Sequence, residues 1–176
     1  MRGKLLLAAL VVSLAICGLA SAATTATVSI TVTIQSLGVS VDTPTWAIGT
    51  IAAGADAQNN PAVVITNTGN VAEDFSLART KAAAWTVGTT ITGNIAETDV
   101  LAARLVASQP AVGVYVNGDV ILTSTTFADG ATKFGNGGFN IAASGTQNMW
   151  MLFRAPSSTT ATTQQTITLT VGCQKH

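Results

Sequence analysis

The chain has 176 residues, of which only 9% are charged, with eight basic side chains, eight acidic ones and a single histidine. That balance leaves no electrostatic footprint for nucleic acid or an anionic membrane surface. One histidine and two cysteines are too few for an ordinary zinc site, and 48% hydrophobic residues exclude a disordered chain.

The first residues read as an export signal. Arg2 and Lys4 precede an apolar run from Leu5 to Ile16, broken only by Ser13, and Ala20-Ser21-Ala22 follows. A basic start, an apolar run short of a membrane span and small residues that fit a peptidase pocket are the parts of a secretory leader. Signal peptidase is expected to cut after Ala22, so that residues 1–22 leave and 23–176 form one β-sandwich domain. A lipid-modified Cys17 is the competing reading, disfavoured by the branched Ile16 before it. Losing Arg2 and Lys4 leaves six basic against eight acidic side chains, a net charge near −2. No integral membrane segment is expected after cleavage. The product is expected to be secreted or at the cell surface, with the periplasm as the other destination.

The composition is rich in Thr, Val and Ala and poor in Lys and Glu, which favours the pleated surface of strands over helix faces. Val28, Ile30, Val32 and Ile34 alternate with Ser29, Thr31, Thr33 and Gln35, the period of a half-buried strand. Leu37, Val39 and Val41 continue the alternation after a phase slip at Ser36, where a bulge fits. Val63 to Thr66 is a short strand closed by Asn67-Thr68-Gly69-Asn70, and Phe75, Leu77 and Arg79 open the next. Thr98 to Ser108 suits a short helix or a strand, and its neighbours favour strand.

Val112 to Val116 and Val120 to Leu122 flank Asn117-Gly118-Asp119, a hairpin signal because type I′ turns need positive φ at both central residues. Met149 to Phe153 is apolar on both faces and reads as a central strand. Thr166 to Cys173 closes the domain. Gly135-Asn136-Gly137-Gly138 and Pro156 to Thr163 read as the loosest connections. About seven to nine such strands, spaced by turn residues with no long linker, predict an all-β, immunoglobulin-like sandwich in a single domain.

One segment adds a family likeness. Trp46-Ala47-Ile48-Gly49-Thr50-Ile51-Ala52-Ala53-Gly54, followed by Val63-Val64-Ile65-Thr66-Asn67-Thr68-Gly69-Asn70, resembles the opening of ASPM–SPD-2–Hydin-type immunoglobulin-like domains. Trp46 stands where Phe is usual, and two residues rather than one or none separate it from Gly49. The likeness covers Thr43 to Leu77. It implies a seven-stranded, non-catalytic module of surface and filament-associated proteins. More loosely, the whole chain resembles small exported bacterial proteins made of a leader and one sandwich.

Catalytic chemistry finds little to work with. His176 is the last residue of the sequence, where chain ends fray, and a general base must be held within hydrogen-bond reach of its target. The carboxylates Asp42, Asp56, Glu73, Asp74, Glu97, Asp99, Asp119 and Asp129 are dispersed, and most adjoin turn residues where solvated or capping roles are expected. Asp129-Gly130 and Asn136-Gly137-Gly138 offer oxygens but lack calcium-loop spacing. No cofactor is expected. Trp46, Trp85, Trp150 and Tyr115 are either core aromatics or stacking platforms for sugars.

Only Cys173 survives leader cleavage, so no internal disulfide forms. Its alternation with Ile167, Leu169 and Val171 places it on an apolar strand face, as a buried thiol or an intermolecular partner.

The expected function is therefore an exported, non-enzymatic structural subunit of a filament or matrix, associating with itself or with sister surface proteins through β-strand contacts. The other reading is a secreted module that binds carbohydrate or protein through its loops. The face formed by Val28, Ile30, Val32 and Ile34 is the candidate interaction site. Two roles stand open for it: the first strand of its own domain, or a strand donated to a neighbour's open sheet edge.

Overall fold

The computed structural model describes residues 27–92 and 95–176. The expected leader lies outside the described residues. The chain divides into two units, Met1–Thr33 and Ile34–His176, and the second is the β domain.

Nine strands occur among the described residues, in two sheets: β1 (Val39–Val41), β2 (Asp56–Gln58), β3 (Val63–Asn67), β4 (Glu73–Arg79), β5 (Thr86–Val87), β6 (Thr98–Leu105), β7 (Thr126–Phe127), β8 (Thr146–Arg154) and β9 (Leu169–Lys175). The larger sheet runs β1-β3-β8-β6-β5 with β2 also on β8, and the smaller runs β7-β4-β9. All pairings are antiparallel except β5 with β6. The expected all-β sandwich is what the chain adopts. Among the described residues no helix is long and apolar enough to cross a membrane.

The inner faces follow the period of two. Val63 and Ile65 of β3, Phe75 and Leu77 of β4, Leu101, Ala103 and Leu105 of β6, and Met149, Met151 and Phe153 of β8 form one buried cluster between the sheets. The central strands β6 and β8 are covered on their other face as well. There Val100, Ala102 and Leu152 pack with Ile91, Tyr115 and Val120. Burial on both faces explains why Met149 to Phe153 has no polar alternation.

The segment that covers this outer face corrects one expectation. Asn117-Gly118-Asp119 forms a short 3-10 turn, not a hairpin turn, and Val112–Val114 forms another. Neither Asn117 nor Gly118 has the positive φ that a type I′ turn requires. Long-range pairing overrides the local signal: Ile121 N–H donates to the Leu101 carbonyl (2.8 Å), and Arg104 Nη1 donates to the Val114 carbonyl (2.6 Å). The buried Asp119 carboxylate fixes the turn by accepting from Val116 N–H (2.9 Å) and Gly135 N–H (2.7 Å).

A second correction concerns residues 28–34. They belong to no strand, and their apolar side chains are exposed: Val28 86%, Ile30 84%, Val32 76% and Ile34 80%. Alternation is a local pattern and carries no information about which surface covers the apolar face.

Two connections expected to be loose are pinned. A Cβ at Gly137 would overlap the Leu105 carbonyl, so the Gly135–Gly138 segment sits tight against β6. In the other, the Glu97 carboxylate accepts from Thr159 Oγ1 (2.9 Å) and Thr160 N–H (2.5 Å), and Trp85 Nε1 donates to Thr159 Oγ1 (2.9 Å).

Candidate functional site

Four of the eight carboxylates are buried, Glu73, Asp74, Asp99 and Asp119, and of these Asp119 has the expected capping role, accepting from Val116 N–H. Asp99 on β6 meets Arg79 on β4 at 2.5 Å, both side chains fully enclosed, so an ion pair ties one sheet to the other. Burial raises the Asp99 carboxyl above its ordinary value despite the opposing pull of Arg79. Burial likewise raises Asp119, against the Val116 N–H, the Arg104 charge at 3.8 Å and the Gly135 N–H.

His176 is held rather than frayed. Its N–H donates to the Ala72 carbonyl (3.1 Å), its Nδ1 lies 2.8 Å from Asp74 Oδ1, and its ring meets Phe139 edge-on at 4.5 Å. Burial works to raise Asp74, but hydrogen bonds from Asn140, His176 and Gln174 prevail and hold it below its ordinary value. Among the described residues no hydroxyl or thiol is hydrogen-bonded to this ring, and no three His, Cys, Asp or Glu side chains converge on a metal position. The Asp129 carboxylate is saturated by its own loop, accepting from Ala131, Thr132 and Lys133 N–H and from Thr132 Oγ1.

One concavity is large and mostly apolar. A cleft of about 1110 Å³ opens between the sheets, floored by Val63, Leu101, Met149, Met151 and Phe153 and walled by Trp46, Ile48, Trp85 and Ile167. Trp85 lies against Phe153 with ring centroids 6.0 Å apart. Both tryptophans are half-buried, and Tyr115 is buried, its hydroxyl donating to the Trp150 carbonyl (3.2 Å). Trp150 in turn donates from Nε1 to the Val106 carbonyl (3.1 Å). Of the four aromatics singled out in the sequence, only Trp46 and Trp85 reach the cleft.

One side of this cleft is bounded by two sheet edges. β1 ends the larger sheet and β9 ends the smaller. The direction of their backbone groups follows from the ladders. Phe75 N–H donates to Gly138 O, Phe75 O accepts from Ala128 N–H, and Arg79 N–H donates to Leu122 O, so the odd residues of β4 face away from β9. The even ones face β9, with Ser76 opposite Gly172 and Ala78 opposite Thr170. Leu169, Val171 and Cys173 therefore turn their N–H and C=O groups outward. On β1, Thr68 N–H donates to Gly38 O and Asp42 N–H donates to Val64 O, which leaves Val39 and Val41 directed away from β3. A gap of about 140 Å³ lies between Val39, Ser40 and Val41 on one edge and Leu169 and Val171 on the other.

Cys173 is half-buried on β9, and burial first, then Glu73, pushes its thiol up to about 11. So high a value keeps it protonated and a poor nucleophile. Cys173→Ser is expected to leave association unchanged and to cost little stability. Non-reducing gels of the wild type should then show only monomer mass, and a disulfide-linked dimer would make Cys173 a partner contact.

The candidate residues Val28, Ile30, Val32 and Ile34 are exposed and lie in no strand, and the cleft and its two edges are the surface that sequence reasoning did not find. Comparison with known proteins finds no matching family model, no matching curated protein and no matching solved structure.

Proposed function

We propose that this chain is an exported, non-enzymatic structural subunit that assembles into filaments or matrix through β-strand contacts. The observation that carries the reading is the exposed face of Val28, Ile30, Val32 and Ile34. Four β-branched apolar residues in strict alternation, exposed and outside any strand, are costly in water and aggregation-prone unless another surface covers them. In this reading the leader directs the protein to the cell surface or beyond, and its partners are copies of itself or sister surface proteins. The likeness to ASPM–SPD-2–Hydin-type modules fits this role, and its Asn67-Thr68-Gly69 element does close β3.

A binding module is the second reading, favoured by the half-buried Trp46 and Trp85 in a large apolar cleft. Electron microscopy and size-exclusion chromatography of the mature protein separate the two. Ordered fibres are expected, and Ile30→Asp should abolish them while leaving the melting temperature of the domain within about 2 °C, because an exposed site contributes little to folding. A stable monomer with glycan affinity, indifferent to Ile30→Asp, would move the assignment to a binding module.

A further inference from the structure

We infer that the cleft between the sheets is a binding site for one uncharged, chain-like apolar molecule, such as a long-chain alcohol or ester. The inference goes beyond the self-assembly reading and does not depend on it.

Charge selects the class of ligand. Among the described residues thirty line the cleft, and none of them is Asp, Glu, Lys, Arg or His. An ion carried into such a lining loses its hydration and meets no counter-charge, whereas a neutral molecule suffers no such loss. The Glu97 carboxylate, bonded to Thr159 and Thr160 at the rim, places a negative charge there and opposes an anion further.

The floor sets the shape. Met149, Met151, Phe153 and Ala155 are alternate residues of one extended stretch and face the cleft together, with Val63 paired beside Met149 and Leu101 beside Phe153. From Met149 to Ala155 the stripe runs roughly 20 Å at about 3.3 Å per residue, which suits an extended chain better than a compact ring. Its two methionines adapt to a chain of varying outline. The volume of about 1110 Å³ lies just above the ordinary range for small-molecule pockets.

The same floor argues against a sugar. A sugar stacked on Trp46 or Trp85 would turn hydroxyls toward Val63, Leu101 and Met149, whose side chains offer no partner, and the Trp85 Nε1 is already committed to Thr159 Oγ1. The hydroxyls and amides of the lining lie on its walls, among them residues 162–166, where they suit the single polar end of an alcohol or ester.

Entry follows from how one wall is held. Residues 43–51 make no hydrogen bond to any other described residue, and Trp46, Ile48 and Ile51 secure them by packing against the core. A wall without a ladder opens at low cost, and an apolar ligand replaces the contacts that opening breaks. The floor residues are at most 5% exposed, so a ligand seats fully by lifting this wall.

The test titrates the full mature chain with the uncharged dye phenylnaphthylamine, read by energy transfer from tryptophan. Saturable binding of one dye per chain is expected, and its absence would overturn the proposal. Dodecanol should displace the dye, and dodecanoate and dodecyltrimethylammonium should do so about tenfold more weakly or worse, all below their micelle concentrations. Equal displacement by the alcohol and the two ions would overturn the charge selection on which the ligand class rests. Ile48→Asp and, on the other wall, Ile167→Asp each put a charge in the lining and should weaken dye binding about tenfold, two positions being used so that one failed fold does not end the experiment. Val116→Asp, at an exposed apolar residue outside the lining, should not weaken it. Folded wall variants that bind dye like the wild type would overturn the site. In Ile30→Asp the signal should persist. Its loss there would place the dye on the 28–34 face and overturn this site while leaving the structural-subunit reading intact. A wild type that is monomeric yet binds the dye as expected would remove the assembly reading and support this one.

Discussion

Asp99→Ala is expected to lower the unfolding free energy by about 3–5 kcal/mol, the typical cost of leaving one member of a buried ion pair alone. Arg79 on β4 and Asp99 on β6 are both fully enclosed and meet at 2.5 Å. Removing the carboxylate strands a guanidinium that, among the described residues, otherwise donates only from Nε to the Thr80 carbonyl (3.2 Å). The double variant Arg79→Met, Asp99→Leu should recover most of the loss or exceed the wild type, because neither charge must then be desolvated. Urea unfolding of the wild type, the single variant and the double variant measures the three values. A single-variant loss below about 1 kcal/mol would mean that water reaches the pair, and the tie between the sheets would be only geometric.

The same pair has a pH signature. Burial raises Asp99 above 3.8 in the folded domain, so folding favours its protonated form. Its contribution is fullest below the unfolded value and declines as pH rises through the folded one. Asp74 has the opposite sign: its depressed carboxyl stabilises above the unfolded value and loses that contribution as pH falls through the folded one. The wild-type acid limb is therefore a balance of the two, and Asp99→Asn should steepen it by removing the term that improves in acid.

What the sequence made legible is mostly a matter of faces. Alternation at Val63 to Thr66, Phe75 to Arg79 and Leu169 to Cys173 names strands and their inward side, since side-chain direction is a local property of extended backbone. The stretch Thr98 to Ser108 is ambiguous for the same reason turned around. Covered on both sides by two clusters, β6 has no polar face to reveal its period. Partnership is not local. Nothing in Val28 to Ile34 tells whether its cover comes from within the domain, and nothing around Asn117-Gly118 reports that Leu101 will claim the chain at Ile121. The buried pair is not legible in the sequence because Asp99 and Arg79 lie twenty positions apart, and nothing local reports that two strands of different sheets will bring them together. The cleft was invisible because it is a property of spacing between sheets.

Asn67 marks where a motif and its physics coincide, and truncating it is expected to cost about 3 kcal/mol or more. The residue is fully buried at the end of β3. Its Nδ2 donates to the carbonyls of Val71 (2.8 Å) and Ile141 (2.9 Å), and its Oδ1 accepts from Gly69 N–H (2.8 Å). Asn67→Ala leaves the Val71 carbonyl and the Gly69 N–H unsatisfied in a place water enters poorly, at about 1–3 kcal/mol each with partial relaxation, while the Ile141 carbonyl keeps the Glu73 N–H (2.9 Å). The Asn-Thr-Gly sequence is thus a clamp: the amide closes the turn at Gly69 and holds the 141–145 segment, whose Gly145 and Ser144 pair with the Asn67 backbone. Asn67→Asp keeps the shape and the acceptor but loses both donors, so it should be nearly as damaging. Thr68→Ala, at the exposed neighbour, should fall within about 0.5 kcal/mol of wild type. Urea midpoints for the three variants decide the matter. If Asn67→Asp matched the wild type while Asn67→Ala did not, the two donated bonds would carry no weight, and the clamp would reduce to the turn at Gly69.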